Sequence, residues 1–265
     1  MISFNNLTNL GRLGNQMFQF ASLKGIARNR GFNFCIPHPN VCGQIDLNVR
    51  HSVANIHNTF DLKNVTYSMK DYTTITESTF NFDEKLFNTC PDNTNILGYF
   101  QNEKYFEGIE DEIREDFTFS EEIQGLCGDL IGNTEYISLH IRRGDYVSNP
   151  NHPLQSMSYY EEALSQFDSS LPVMVFSDDY KWCQGQKLFE GDRFLISENN
   201  TTAIDLCLQS LCTYHIICNS SFSWWGSYLA KSKRTVAPKL WFGSSLSDKD
   251  HSGIYRPNWI VINAE

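Results

Sequence analysis

From residue 136 to the C-terminus, short apolar runs alternate with longer amphipathic stretches. The runs are YISLHI, PVMVF, RFLIS, YHIIC and TVAP, and helical patterns fall between them near 158–167, 180–189, 201–213 and 221–231. Strands separated by helices in this way predict βαβ units and a parallel sheet. The first half carries fewer signals. Residues 7–31 read as a glycine-bearing loop followed by a helix, with Met17, Phe20, Leu23 and Ala27 at helical spacing and Gly31 just past the end. ILGYF (96–100) predicts a short buried strand. After it, Asn102 is placed to cap one helix in which Tyr105, Ile109, Ile113 and Phe117 recur every four residues. The polar stretch 118–134 predicts a domain boundary, and residues 35–95 show no clear period. The expected architecture is α/β in two domains, 1–125 and 126–265.

Charge narrows the partners. The 265 residues carry a formal net charge of −10, which argues against nucleic acid or an anionic membrane surface, because both need a broad basic face. Any anionic ligand must be gripped by a few local cations. The N-terminus, MISFNNLTNLGRLGNQ, lacks a basic region followed by an apolar one, and no run of about 18 apolar residues occurs. A cytoplasmic protein without a membrane span is expected, with peripheral membrane contact left open. The eight cysteines form no C-x-x-C pair, so free thiols in a reducing compartment are expected rather than disulfides or zinc.

Ligands of open parallel sheets bind beyond the carboxyl ends of the strands, and three such ends carry chemistry. In HIRRGDYV (140–147), strand alternation puts His140 and Arg142 on one face. Arginines suit phosphate, which they grip through paired N–H donors; Gly144 permits a tight turn, and Asp145 can return to hold a guanidinium. The plainer alternative is an Arg–Asp pair that staples a loop. In PVMVFSDD (172–179), one of Asp178 and Asp179 suits capping of the next helix. The other is left to accept the two parallel donors that guanine presents, with Ser177 beside it. Adjacent aspartates are not the D-x-D that holds a divalent ion, so no metal is expected. In CNSSFSWWG (218–226), Ser220 and Ser221 open a helix whose N–H groups can cradle phosphate or are simply capped; Phe222 suits a sugar pocket, while Cys218, Trp224 and Trp225 read as packing. Elsewhere, GRLGNQMFQFA (11–21) offers glycines and the amides of Asn15 and Gln16 at a helix start, without the Gly-Lys-[Ser/Thr] of a nucleotide triphosphatase.

Taken in order, GRLGNQMFQFA, LGYFQNEKYFEGIEDEIREDFTF, HIRRGDYV, FSDDYKWC, DLCLQSLCTYHIICNSSFSWWGSYLA and PNWIVI resemble glycosyltransferase family 11, the α-1,2-fucosyltransferases. The resemblance implies a GT-B fold, two Rossmann-like lobes with parallel sheets facing a cleft. The N-terminal lobe would serve the acceptor and the C-terminal lobe would hold GDP-fucose. It implies inverting transfer of L-fucose from GDP-β-L-fucose to the 2-hydroxyl of a galactose-terminated glycan, with no metal and no cofactor beyond the donor substrate. Transfer to a 6-hydroxyl or to protein, or a catalytically silent binding role, stay open as alternatives. On this resemblance the catalytic candidates are Arg142, Asn15 and His140. The donor-binding candidates are Arg12, Gly14, Gln16, Arg143, Asp145, Ser177, Asp178, Asn219, Ser220, Ser221 and Phe222, with Asp178 matching the guanine-reading carboxylate. Arg12 stands where many relatives carry a second glycine. No general base is assigned; Asp46, His38 and Glu103 are polar candidates in the first half.

Overall fold

The apolar runs of the second half become one parallel sheet. The computed structural model describes residues 1–41 and 55–263, and the chain divides into two units, Met1–Ser120 with Lys249–Ile254, and Glu121–Asp248 with Tyr255–Glu265. The N-terminal unit contains β1 (Ile2–Ser3), α1 (Leu13–Arg30), β2 (Phe34–Pro37), α2 (Ile56–Thr59), β3 (Val65–Thr66), β4 (Thr73–Thr76), α3 (Glu84–Thr89), β5 (Thr94–Leu97) and α4 (Glu110–Asp116). Among the described residues its strands form a five-stranded parallel sheet in the order β3-β2-β1-β5-β4.

Helix α1 follows the expected pattern. Met17, Phe20, Leu23 and Ala27 are buried, and Gly31 takes the left-handed conformation (φ 68°) that lets its N–H cap the carbonyls of Ala27 and Arg28. The helix expected after Asn102 is in fact two pieces. Asn102 caps a single 3-10 turn, Glu103–Phe106, and α4 starts afresh beyond Gly108, whose φ of 85° no α-helix accommodates. Tyr105, Ile109, Ile113 and Phe117 are buried all the same, so the period reported burial and not continuity. The 3-10 turn packs so tightly on α1 that a Cβ at Gly25 would run into the Tyr105 carbonyl.

The C-terminal unit contains α5 (Glu121–Ile131), β6 (Ile137–Ile141), α6 (Met157–Leu164), β7 (Val173–Ser177), α7 (Tyr180–Gln184), β8 (Phe194–Ile196), α8 (Thr202–Leu211), β9 (Tyr214–Ile216), α9 (Ser221–Leu229), β10 (Arg234–Pro238) and β11 (Ile260–Ile262). Among the described residues the sheet is parallel throughout, in the order β11-β10-β9-β6-β7-β8. The helices bury Tyr159, Tyr160, Trp224, Trp225 and Tyr228. A boundary at residue 125 would cut α5, which belongs wholly to this unit because it packs on α8. Residues 249–254 return to the N-terminal unit, where the Asp250 carboxylate accepts from the Asn81 amide at 2.7 Å.

Replacing Gly25 by alanine is expected to cost about 2 kcal/mol through overpacking against the 3-10 turn. Thermal or urea unfolding checks this; an unchanged midpoint would contradict the packing described.

Candidate active site

Strand β6 lies between β7 and β9. The chain builds outward from β6 through β7 to β8, then crosses back to place β9 on the other side. Crevices open outside the carboxyl ends of strands at such a switch point. A cavity of about 260 Å³ lies there, lined by residues that include His140, Arg142, Ser177, Asp178, Asp205 and Phe222.

Arg142 is the centre of the polar contacts. Its side chain is 14% exposed and is held between two carboxylates: Nη1 donates to Asp178 Oδ2 at 2.8 Å, and Nη2 donates to Asp145 Oδ1. The Tyr146 ring lies 5.4 Å from the guanidinium, and the Tyr146 hydroxyl donates to the Asn219 carbonyl at 3.0 Å. Burial pulls the Arg142 pKa down, but Asp178 and Asp145 outweigh it and the net shift is upward, so the charge is permanent. Gly144 earns its place by close approach, since a Cβ there would strike Asp178 Oδ2. The expectation that one of the two aspartates caps a helix fits Asp179, which accepts from Trp182 N–H at 3.2 Å. Asp178 is not left uncommitted. Its second oxygen accepts the Arg143 N–H at 2.8 Å.

His140 is buried, with Nδ1 3.2 Å from Cys218 Sγ and its ring 5.5 Å from that of Phe222. Burial, helped by the nearby Arg142 charge, pushes its pKa down to about 3, so the imidazole is neutral. Cys218 therefore does more than pack: burial holds its pKa up at about 12, and the protonated thiol faces the imidazole. Ser220 caps α9, its hydroxyl oxygen accepting the Phe222 N–H at 3.3 Å, and Ser221 is the first helical residue.

The family model described as Glycosyl transferase family 11 matches residues 1–263. The chain belongs to glycosyltransferase family 11. It is similar to an Escherichia coli alpha-1,2-colitosyltransferase, 32% identical over 270 residues that cover 88% of this chain and 90% of that protein. It is also similar to a Bos taurus galactoside alpha-(1,2)-fucosyltransferase 2, 25% identical over 287 residues covering 97% and 78%. Among solved structures, the NodZ alpha-1,6-fucosyltransferase soaked with GDP-fucose aligns at a TM-score of 0.53 and 15% identity, over 90% of this chain and 95% of that one. The fold is GT-B-like, with two Rossmann-like units, and the protein is a glycosyltransferase. Among the described residues no group of three or more His, Cys, Asp or Glu is placed to hold a metal ion, and no helix is long and apolar enough to cross a membrane.

The other candidates of this glycosyltransferase take different places. Arg143 turns aside, its Nε donating to Asp179 at 3.1 Å and its guanidinium lying 3.9 Å from the centre of the Trp182 ring. Asn219 spends its amide on neighbouring loops, donating to the Pro153 and Trp241 carbonyls and accepting from Gln155, each at 3.0 Å. Arg12, Gly14, Asn15 and Gln16 gather at the start of α1, in the N-terminal unit. There Gln16 donates to the Gly11 carbonyl at 3.1 Å and accepts from Ile56 N–H at 2.9 Å, while Asn15 Oδ1 accepts from the Gln101 amide at 2.6 Å. His38 follows β2 and Glu103 opens the 3-10 turn; Asp46 lies outside the described residues. The cavity also recruits Ser197 and Asn199, which lie outside the motifs, and Tyr180 and Asp205, which lie inside them without an assigned role. Asp205 accepts the Ser197 hydroxyl at 2.6 Å, and burial raises its pKa to about 6. In the sequence it reads as an ordinary acid in the first turn of a helix. Ser197 at the end of the run RFLIS and the polar ENN after it were the available signal, a fourth strand end.

With a folded pKa near 3, His140 is expected to keep neutral-imidazole ¹⁵N shifts from about pH 8 to about pH 5. A midpoint above about 5.5 would contradict its burial. Because the folded pKa lies below the ordinary 6.5, unfolding takes up a proton below that value. The stability this residue contributes is present above pH 6.5 and is lost progressively toward pH 3.

Proposed function

We propose that the protein transfers L-fucose from GDP-β-L-fucose, with inversion, to the 2-hydroxyl of a terminal galactose in a glycan. The C-terminal unit binds the donor and the N-terminal unit serves the acceptor. The observation that carries this reading is the Arg142 clamp, which lines one cavity with Phe222 at the start of α9, at the switch point of the sheet. The α-1,2 linkage named for both sequence relatives supports the choice of hydroxyl.

The reaction forms a bond between the acceptor oxygen and the anomeric carbon as the bond to the β-phosphate oxygen breaks. GDP leaves with the electron pair, and the hydroxyl proton is released. Charge therefore grows on the diphosphate. A preorganised guanidinium and helix-start amides, aimed where that charge develops, stabilise the transition state without rearranging. Asp178 orients Arg142, and Asp145 occupies the guanidinium edge that a phosphate oxygen takes over. Neutral His140 adds a polar contact with no competing charge. Guanine recognition falls to Asp205: Asp178 is tied to the Arg142 guanidinium and the Arg143 backbone N–H, whereas Asp205 accepts only from the neutral side chains of Ser197 and Asn200, which a base edge can displace.

A second donor is favoured by one observation. The relative that is 32% identical over most of both chains is a colitosyltransferase, and colitose is fucose without its 3-hydroxyl. The test is GDP release with GDP-fucose and GDP-colitose against a panel of galactosides, with and without chelator, followed by linkage analysis of the product. Undiminished transfer of fucose to O2 supports the main reading. Preference for GDP-colitose, or fucose at O6 or on protein, replaces it.

Arg142→Ala is expected to lower turnover about 100–1000-fold with the fold intact, and Arg142→Lys should be nearly as poor because an ammonium cannot reproduce the fork. Steady-state kinetics with circular dichroism checks this; near-normal turnover of a folded variant would refute the role. Asp205 must be ionised to accept two donors, and its raised pKa means that ionisation is lost below about 6. Affinity for GDP-fucose should therefore weaken as pH falls through that value, approaching about tenfold per pH unit. Asp205→Asn should bind weakly and without this slope, as calorimetry can show.

A further inference from the structure

The carboxyl edge of the N-terminal sheet carries a pair of rings that the donor chemistry does not use. Strand β2 ends at Pro37 and β3 at Thr66, and the ladder runs on by one bond, from His38 N–H to the Thr66 carbonyl at 2.8 Å. That register sets His38 and Tyr67 side by side, one residue past each strand. Their rings stack, with centroids 3.9 Å apart and planes 21° from parallel, and the Tyr67 hydroxyl oxygen lies 2.8 Å from His38 Nε2. On the other side of the imidazole, Nδ1 accepts the Asn40 N–H at 3.1 Å. An accepting Nδ1 carries no proton, so the neutral ring bears its proton on Nε2 and donates it to the Tyr67 oxygen. The phenol proton is then directed away from the imidazole.

Tyr67 is nevertheless 67% exposed. His38 covers one face of the ring, so the other faces solvent. An aromatic ring fixed through both its face and its hydroxyl, yet open on its second face, has already lost the rotamer freedom that ligand binding would cost. It stands where parallel sheets place their ligands, past the carboxyl ends of the strands.

The complementary surface is a sugar. A galactose ring presents the C–H groups of C3, C4 and C5 together on one face, an apolar and slightly positive patch that suits the negative face of an aromatic ring. The phenol O–H adds a donor at the rim. We propose that Tyr67, braced by His38, is the stacking platform for a galactose-type ring of the acceptor glycan. The assignment deepens the proposed function and rests on its galactoside acceptor.

The test uses the full chain with GDP present, and saturation-transfer difference NMR on methyl β-D-galactopyranoside and lactose. Wild-type protein is expected to saturate galactose H3, H4 and H5 most strongly. Tyr67→Ala should abolish that pattern and raise the acceptor KM about tenfold, whereas Tyr67→Trp should stay within about threefold. GDP affinity of both variants within about twofold of wild type shows that donor binding and folding are intact. Galactoside bound by Tyr67→Ala as well as by wild type overturns the platform. Should the wild type turn over no galactoside, the proposed function fails separately. The NMR comparison then decides alone, Tyr67-dependent saturation supporting the platform and its absence overturning it.

Discussion

One guanidinium held between two carboxylates organises the C-terminal site. Arg142 is mostly buried, and a charge in that position is tolerable only because Asp178 and Asp145 compensate it. The clamp then sets further demands. Asp178 must come against the backbone of residue 144, which leaves room only for glycine, and its second oxygen ties down the Arg143 N–H. Tyr146 lies beside the guanidinium and reaches the Asn219 carbonyl, and Asn219 in turn spans three loops. A disturbance at any of these points reaches Arg142.

The clamp also explains how an acidic chain can handle an anionic donor. The net charge of −10 offers no broad attraction, so recognition depends on local geometry. Arg142, Arg143, Asp145, Asp178 and Asp179 together carry one more negative charge than positive, and they present no surplus cation. In the proposed mechanism the incoming diphosphate displaces Asp145 from its edge of the guanidinium and meets the start of α9. Selectivity for a shaped anion over any passing one follows, because an anion that cannot reach both groups gains little for dislodging the carboxylate.

The second half of the fold was legible because its central strands β6 and β7 are buried on both faces and its helices carry amphipathic stripes. Ile137, Leu139 and Ile141 could be read as core, and so could Trp224 and Trp225. The first half was not, because strands of two to four residues leave too short a pattern, and β4 is largely exposed. Gly108 leaves no mark on the pattern, since a period of four in buried residues survives a break in the helix. In the site, the strand-end rule located His140, Arg142, Ser177, Asp178 and Phe222 around one cavity. Residue type did not reveal side-chain direction. Arg143 and Asn219 carry suitable chemistry, but Arg143 turns to Trp182 and Asn219 to its neighbouring loops. Asp205 shows the converse, a helix acid with an ordinary local signature that only the tertiary fold brings to the cavity.

The most direct measurement is a crystal structure of the protein with GDP bound. The diphosphate is expected within hydrogen-bond distance of both the Arg142 guanidinium and the first N–H groups of α9, with Asp178 still on Arg142 and Asp145 released. A diphosphate seated elsewhere, with Arg142 still held between both aspartates, would contradict it.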